Sequence, residues 1–408
     1  MYCFWEERMK YRNFSKKIDF KPSALGFGLM RLPMKDEKEI DREEAIKIVR
    51  YAIDNGVNYL DTAYVYHGGE SERILCEILK DGYRDKVKIA DKMSMWLLKE
   101  ESDLDRIFFD QLDKLKVDKI DFYLLHALNR RSIDTITRLK IMDWCEKKKA
   151  DGLIDYIGFS FHDTLPVWKK LIDFYDWDFC MLQFNIIDVK IQLSKAAIDY
   201  ARRKDIGVIV MEPLRGGQLS LSIPDDIMAL WGEMAKLYRD ADIPITMSQN
   251  QMFLPAQFML DWLWNFEEIG FLISGMSNFQ QVKENIEFAK NASINKLNKK
   301  QLTLINKIRK TYLEKIVINC TKCNYCKDCP QKIAIPEIFS SLNEIKRFEN
   351  QRTPTFRYYF LPEEKRASKC TSCGACVPIC PQKLDIPGLL KKCSLVFEEK
   401  KMFDTVGF

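Results

Sequence analysis

Eight strand-length apolar runs recur along the first two-thirds of this chain, and this spacing limits its fold more than any other feature. They are SALGFG (23–28), VNYLDTA (57–63), VKIADK (87–92), IDFYLLH (120–126), IDYIGFS (154–160), FCMLQFN (179–185), GVIVMEP (207–213) and GFLISGM (270–276). Each carries several apolar residues in succession, as strands covered on both faces do, and amphipathic helical segments lie between them. One such helix starts at Asp41, a good N-cap, and runs through Ala45, Ile48, Val49, Ala52 and Ile53 to Gly56. Another has Glu70 and Glu72 in its first turn and Ile74, Leu75, Ile78 and Leu79 on one face before Gly82. Eight alternations predict an α/β fold, a (β/α)8 TIM barrel. A doubly wound open sheet is the structural alternative, but no run is followed by G-x-G-x-x-G, which removes its usual dinucleotide argument.

A chain of 408 residues leaves about a hundred after such a barrel. The connection after the seventh run is long, and the Lys/Asn-rich NASINKLNKKQ follows the last barrel helix. The expected domains are 1–312, the barrel, and 313–408, a mainly helical cysteine-bearing domain. A net charge of +5 spread over this size does not suggest nucleic-acid binding. No apolar run reaches the roughly 18 residues of a membrane span, and the N-terminal MYCFWEERMKYR lacks the apolar region of a signal peptide, so a cytoplasmic location is expected.

Functional groups of a barrel of this kind sit at the C-terminal ends of its strands. Asp61 ends the second run, Tyr64 and Tyr66 follow it, Lys92 ends the third and His126 the fourth. An ammonium beside a tyrosine favours the phenolate and moves a weak acid toward use at neutral pH. Asp61 would hold Lys92, and His126 would orient a substrate carbonyl. Singly, each has a plainer reading: helix cap, loop aromatic, solvated strand end, buried histidine. Together at predicted strand ends they point to a proton-delivering site.

The segments DTAYVYHGGESE, KIADK, DFYLLH, IGFSFH and LQFN, in this order, resemble the aldo-keto reductase superfamily over about residues 9–290. The resemblance implies reversible hydride transfer between NAD(P)H and a carbonyl or alcohol substrate, with Asp61, Tyr66, Lys92 and His126 as the catalytic set. It selects Tyr66 over Tyr64. Its cofactor positions fall on Ser160, Gln183, Met211, Pro213, Leu214, Gly216, Gly275, Ser277, Gln281, Glu284 and Asn285. Several depart from the pattern. Phe161 replaces the asparagine after Ser160, and Met211 replaces the aromatic that often stacks on nicotinamide. Gly275 and Gln281 stand where NADP-selective members carry cations, which leans toward NADH. Arg215 serves either to offset pyrophosphate charge or as a solvated loop cation. Arg31 serves either as an anchor for an acidic substrate group or as half of a structural ion pair. His67 and His162 are candidate substrate contacts.

The C-terminal region carries CTKCNYCKDCP, with Cys320, Cys323, Cys326 and Cys329, and CTSCGACVPICP, with Cys370, Cys373, Cys376 and Cys380. Triplets at two-residue spacing wrap one cubane, and the fourth cysteine ahead of proline reaches the partner cluster. One 4Fe-4S cluster would take Cys320, Cys323, Cys326 and Cys380, the other Cys370, Cys373, Cys376 and Cys329. Zinc at paired cysteines explains neither the triplets nor the Cys-Pro endings. The long separation of the motifs resembles the helical ferredoxin-type domain fused to one subgroup of aldo-keto reductases. Hydride transfer moves two electrons and a 4Fe-4S cluster one, so the clusters imply an external redox partner protein, a structural or regulatory role, or another cofactor in the barrel. A second functional reading is a redox-sensing or partner-docking protein that uses the barrel as a scaffold.

Overall fold

The computed structural model describes residues 8–36, 39–189, 194–221, 223–320, 325–380 and 382–408. All eight runs form strands: β1 (Leu25–Gly28), β2 (Tyr59–Asp61), β3 (Lys88–Ser94), β4 (Ile120–Leu128), β5 (Ile154–Phe161), β6 (Phe179–Gln183), β7 (Gly207–Met211) and β8 (Phe271–Ser274). They are parallel and close in sequence order, β8 pairing back to β1 through Leu25↔Leu272 and Phe27↔Ser274.

The barrel interior is filled mainly by aromatic side chains. Tyr59 meets Phe271 at 4.7 Å and Phe122 meets Phe179 at 5.2 Å between ring centroids, both edge-on. Phe14, from the segment ahead of β1, closes the N-terminal end of the barrel, its ring 5.2 Å from Phe271. Room for it exists because β7 begins with a glycine: a Cβ at Gly207 would stand 2.6 Å from Phe14 Cε2. The active-site end is thereby left as the open end.

The helices follow the local signals. Asp41 caps the helix Arg42–Asp54, its carboxylate accepting from Glu44 N at 3.1 Å. The helix Glu70–Ile78 stops short of Gly82, because Asp81 and Gly82 turn the chain at φ 58° and 80°. β3 and β4 run two residues past the expected ends, pairing Met93↔Leu125 and Ser94↔His126 before the register shifts. Lys92 and His126 thus sit on rigid strand backbone rather than at its last residue.

The chain divides into two compact units, 1–216 with 235–302, and 217–234 with 303–408. The second unit takes in part of the β7–β8 connection. Its core is built by the helices Ile335–Phe348, Arg352–Tyr359 and Ile386–Phe397, through Ile338, Phe339, Leu342, Tyr358, Leu390 and Phe397. Among the described residues no helix is long and apolar enough to cross a membrane.

Candidate active site

β2 ends in Asp61, and β3 carries Lys92 beside it. Both are almost sealed from solvent, 4 % and 1 % exposed. Lys92 Nζ donates to Asp61 Oδ1 at 2.6 Å and to the Thr62 carbonyl at 2.5 Å. Burial alone would pull the ammonium pKa down, but Asp61 and Tyr66 outweigh it, and Lys92 is held charged above its ordinary value. Burial lifts Asp61, and the Lys92 charge opposes that lift.

Tyr66 lies where the chain leaves β2, with its ring centroid 4.7 Å from Lys92 Nζ. The expected fall of its pKa does not occur. Burial raises the phenol by more than Lys92 lowers it, so Tyr66 keeps its proton at neutral pH and is a donor. Tyr64 is turned elsewhere, its ring 3.9 Å from Lys114 Nζ. The turn beyond Tyr66 is tight: His67, Gly68 and Gly69 have φ of 50°, 66° and 93°, which two glycines tolerate and His67 adopts at a cost of about 1 kcal/mol.

His126 stands edge-on to Tyr66, with ring centroids 5.9 Å apart at 80°. Burial, then the Lys92 charge, then His162 push its pKa down to about 2. Although the imidazole keeps an open edge, that direction makes it neutral at physiological pH. Trp96, 56 % exposed and 5.1 Å from the His126 ring, walls the mouth on this side. Sequence reasoning passed over it because a lone tryptophan after a strand carries no chemical signal.

Behind the strand lies a polar cluster also missed in the sequence. Asp91 and Glu72 are fully buried. Asp91 Oδ1 accepts from Lys92 N at 2.7 Å, Gln111 Nε2 donates to the Lys92 carbonyl at 3.2 Å, and Lys114 Nζ stands 3.2 Å from Glu72 Oε2. Burial and the neighbouring Glu72 raise Asp91 well above the carboxylate range. Glu72, in the first turn of its helix, is buried as a neighbour of Asp91 on β3.

Beyond β5 to β8, several of the expected cofactor residues are held by neighbouring protein groups. Ser160 Oγ accepts from Ala127 N at 2.8 Å, which leaves its proton to donate. Phe161 is buried against Trp168 at 5.1 Å and presents no polar group. Gln183 Nε2 donates to Asp188 Oδ2 at 2.7 Å, and Arg215 Nε lies 3.4 Å from the same oxygen. Arg215 is therefore a buried, paired cation and not a solvated one. Met211 packs half-buried on the barrel core. Pro213 is buried and Leu214 half-buried in the loop that follows. Gly216 has φ 64°. Ser277 N donates to Gln281 Oε1 at 2.9 Å, Gln280 holds Glu284 at 2.7 Å, and Asn285 Nδ2 donates to Ser274 Oγ at 3.1 Å.

Arg31, in the short turn Leu29–Arg31 after β1, is exposed. Its stem lies on Gly275 and its guanidinium on Gly216. Among the described residues it has neither an ion pair nor a hydrogen bond, so the expectation of a structural ion pair does not hold.

In the second unit, Cys329, Cys370, Cys373 and Cys376 line one cavity, with Cys326 also on its wall. A cysteine of the first motif thus stands among thiols of the second. Burial raises the Cys376 thiol first, and Cys329, Cys370 and Cys373 raise it further. Cys320 and Cys380 pack against the helical core. Cys323 lies outside the described residues. Among the described residues no three His, Cys, Asp or Glu side chains stand at single-ion ligand spacing. The approach to each motif is anchored by a side chain. Asn343 accepts from Val317 N and Ile318 N at 2.9 and 2.8 Å and donates to Ile318 O at 2.8 Å. Tyr358 OH accepts from Ala367 N at 2.8 Å and donates to Glu398 at 2.5 Å, and Glu398 accepts from Ser368 N at 3.0 Å.

Comparison with known proteins matches residues 24–310 to the aldo/keto reductase family and residues 319–384 to a 4Fe-4S dicluster domain. An uncharacterized oxidoreductase of Bacillus subtilis strain 168 is 24 % identical over 286 residues, 66 % of this chain and 88 % of that protein. L-galactose dehydrogenase of Arabidopsis thaliana is 24 % identical over 280 residues, 65 % of this chain and 84 % of its own length. Among solved structures, the holo form of aldo-keto reductase AKR11C1 from Bacillus halodurans superimposes with a TM-score of 0.57 at 25 % identity, covering 74 % of this chain and 96 % of that one. An aldo/keto reductase from Klebsiella pneumoniae, solved with NADP and acetate, gives a TM-score of 0.56 at 20 % identity, covering 74 % and 95 %. An oxidoreductase barrel matched from β1 past the last barrel helix, followed by a dicluster segment, places the assignment beyond fold likeness: the chain belongs to the aldo/keto reductase family.

Proposed function

We infer that this oxidoreductase interconverts a small carbonyl compound and its alcohol at Tyr66. The observation that carries the reading is the buried Asp61–Lys92 pair, 2.6 Å apart, with its ammonium 4.7 Å from the Tyr66 ring and a neutral His126 facing the same phenol. In the direction of reduction, His126 hydrogen-bonds the carbonyl oxygen and orients it, and Tyr66 delivers a proton to that oxygen as negative charge builds there. Lys92 stabilises the phenolate left behind. Asp61 fixes Lys92 and keeps it charged. Trp96 shields the reacting carbonyl from water.

A nicotinamide dinucleotide fits the rim beyond β5 to β8, where Ser160 has a proton to donate and the Arg31 guanidinium lies over Gly216. Ser160, Gln183, Met211, Pro213, Leu214, Gly216, Gly275, Ser277, Gln281, Glu284 and Asn285 would hold it, and when bound it supplies the hydride. NADH is the preferred form, because Gly275 and Gln281 offer a 2′-phosphate no charge. Cys320, Cys323, Cys326 and Cys380 would hold one 4Fe-4S cluster and Cys370, Cys373, Cys376 and Cys329 a second, and the pair would supply single-electron exchange with a redox partner protein in the cytoplasm. The four thiols around one cavity support the second set.

The test is Tyr66→Phe in anaerobically purified protein. Carbonyl reduction should fall by a factor of about 10²–10⁴ with dinucleotide affinity retained. Unchanged turnover would remove Tyr66 from the reaction. Failure of the unaltered protein to bind a dinucleotide would favour the scaffold reading, whose support is the departure from the cofactor pattern at Phe161, Met211, Gly275 and Gln281.

A further inference from the structure

Arg31 is held in place without a charge partner. An exposed arginine normally either pairs with a carboxylate or sweeps through solvent, and fixing it costs about 2 kcal/mol of rotamer entropy. Here the ordering is done by the absence of two side chains. A Cβ on Gly275 would come within 3.2 Å of Arg31 Cβ and Cδ and 3.3 Å of Cγ, and a Cβ on Gly216 would fall on Arg31 Nη2 and 3.0 Å from Cζ. The guanidinium therefore rests at the meeting of three rim loops, those after β1, β7 and β8, which the closed barrel makes neighbours. No acidic group among the described residues satisfies it.

The direction in which it leans decides what it meets. The proton-delivering groups stand beyond β2, β3 and β4, on one side of β1. Arg31 reaches to the other side, over β8 toward β7. A carbonyl substrate at His126 is thus not its ligand. Within the cofactor half, its charged end lies at Gly216 and only its aliphatic stem lies at Gly275. The fork is set beside the loop after β7, whose buried Arg215 is already committed to Asp188. A pre-ordered fork with open donors is suited to bidentate phosphoryl oxygens.

We propose that Arg31 grips the diphosphate bridge of the dinucleotide, as a cofactor-binding residue that serves NADH and NADPH alike. The assignment rests on the cofactor reading given above. It also changes how the missing cations at 275 and 281 are understood: Gly275 is small because Arg31 passes over it.

The test measures the dissociation constants of NADH, NADPH and ADP-ribose with the full anaerobic chain carrying Arg31→Ala, Arg31→Lys or Gly275→Ala. Arg31→Ala should weaken all three ligands by about tenfold or more and by similar factors, since all share the diphosphate. Arg31→Lys should fall between, because it keeps the charge and loses the fork. Gly275→Ala should weaken the same ligands by displacing the stem while leaving Arg31 itself intact. Unchanged affinities in Arg31→Ala would overturn the assignment, and so would a loss confined to NADPH, which would move the contact to the 2′-phosphate. Failure of the unaltered protein to bind any of the three would instead refute the cofactor reading on which the assignment rests.

Discussion

Removing Lys92 should damage the barrel through Asp61 rather than through the lysine itself. In Lys92→Met the aliphatic stem is kept and the charge is lost, leaving a carboxylate that is 4 % exposed with its 2.6 Å partner gone. Breaking a buried pair from one side costs about 3–5 kcal/mol. At roughly 2–4 °C per kcal/mol for a domain of this class, the barrel's thermal midpoint should fall on the order of 6–20 °C at pH 7.5. The deficit should depend on pH with a definite sign. Asp61 without Lys92 has a folded pKa raised above its unfolded value by burial, so the folded state binds more protons than the unfolded one between the two values. Stability is then fully present below the unfolded carboxylate pKa and is lost as pH rises. The gap to the unaltered protein should narrow as the pH is lowered toward 4. Adding Asp61→Asn should restore about half of the loss, the remainder reflecting the Thr62 carbonyl, which also accepts from Lys92. Both variants should be inactive, which separates stability from turnover. Anaerobic thermal unfolding followed by far-UV circular dichroism reads the outcome. A single variant as stable as the original, or a double variant less stable than the single one, would refute this account.

Other substitutions probe neighbouring features. With its pKa pushed down to about 2, His126 stays neutral in the folded state and is charged in the unfolded one below about 6.5. Stability should decline as pH falls below that value, less so in His126→Gln, and the pH profile of carbonyl reduction should show no limb near 6.5. Asp91→Asn should be neutral or stabilising above pH 5, because the folded carboxyl is already raised well above its unfolded value and holds its proton; a marked loss in a denaturation curve would show that Asp91 is ionised. Gly158→Ala would set a Cβ 2.6 Å from the Phe179 carbonyl oxygen and 2.7 Å from its ring, and should destabilise by about 2–3 kcal/mol in urea unfolding.

The fold was legible because each strand is covered on both faces and so shows as an unbroken apolar run. Asp41 was legible as a cap because capping is a local contact. The groups that position Lys92 were not. Asp91 and Glu72 belong to no motif, and their burial side by side comes only with the fold. Arg215 misled for the same reason, since its partner Asp188 lies in another loop. The sharing of the β7–β8 connection between the two units depends on contacts across many tens of residues, and no periodicity announces such contacts. The tyrosine choice lay between: position admitted both Tyr64 and Tyr66, and the structure separates them by which lysine each faces.

The anchors ahead of the two cysteine motifs bear on how this protein matures. Asn343, Tyr358 and Glu398 tie the approaches to Cys320 and Cys370 onto the helical core with protein hydrogen bonds alone. A small zinc finger collapses when its metal leaves, because the metal supplies the free energy of folding. Here the apoprotein should keep its helices and present its thiols from tethered segments, so that iron and sulfide are loaded onto a folded receiver. Exposure to oxygen would then cost the clusters without costing the chain, and reconstitution would restore the metal content of the same molecules.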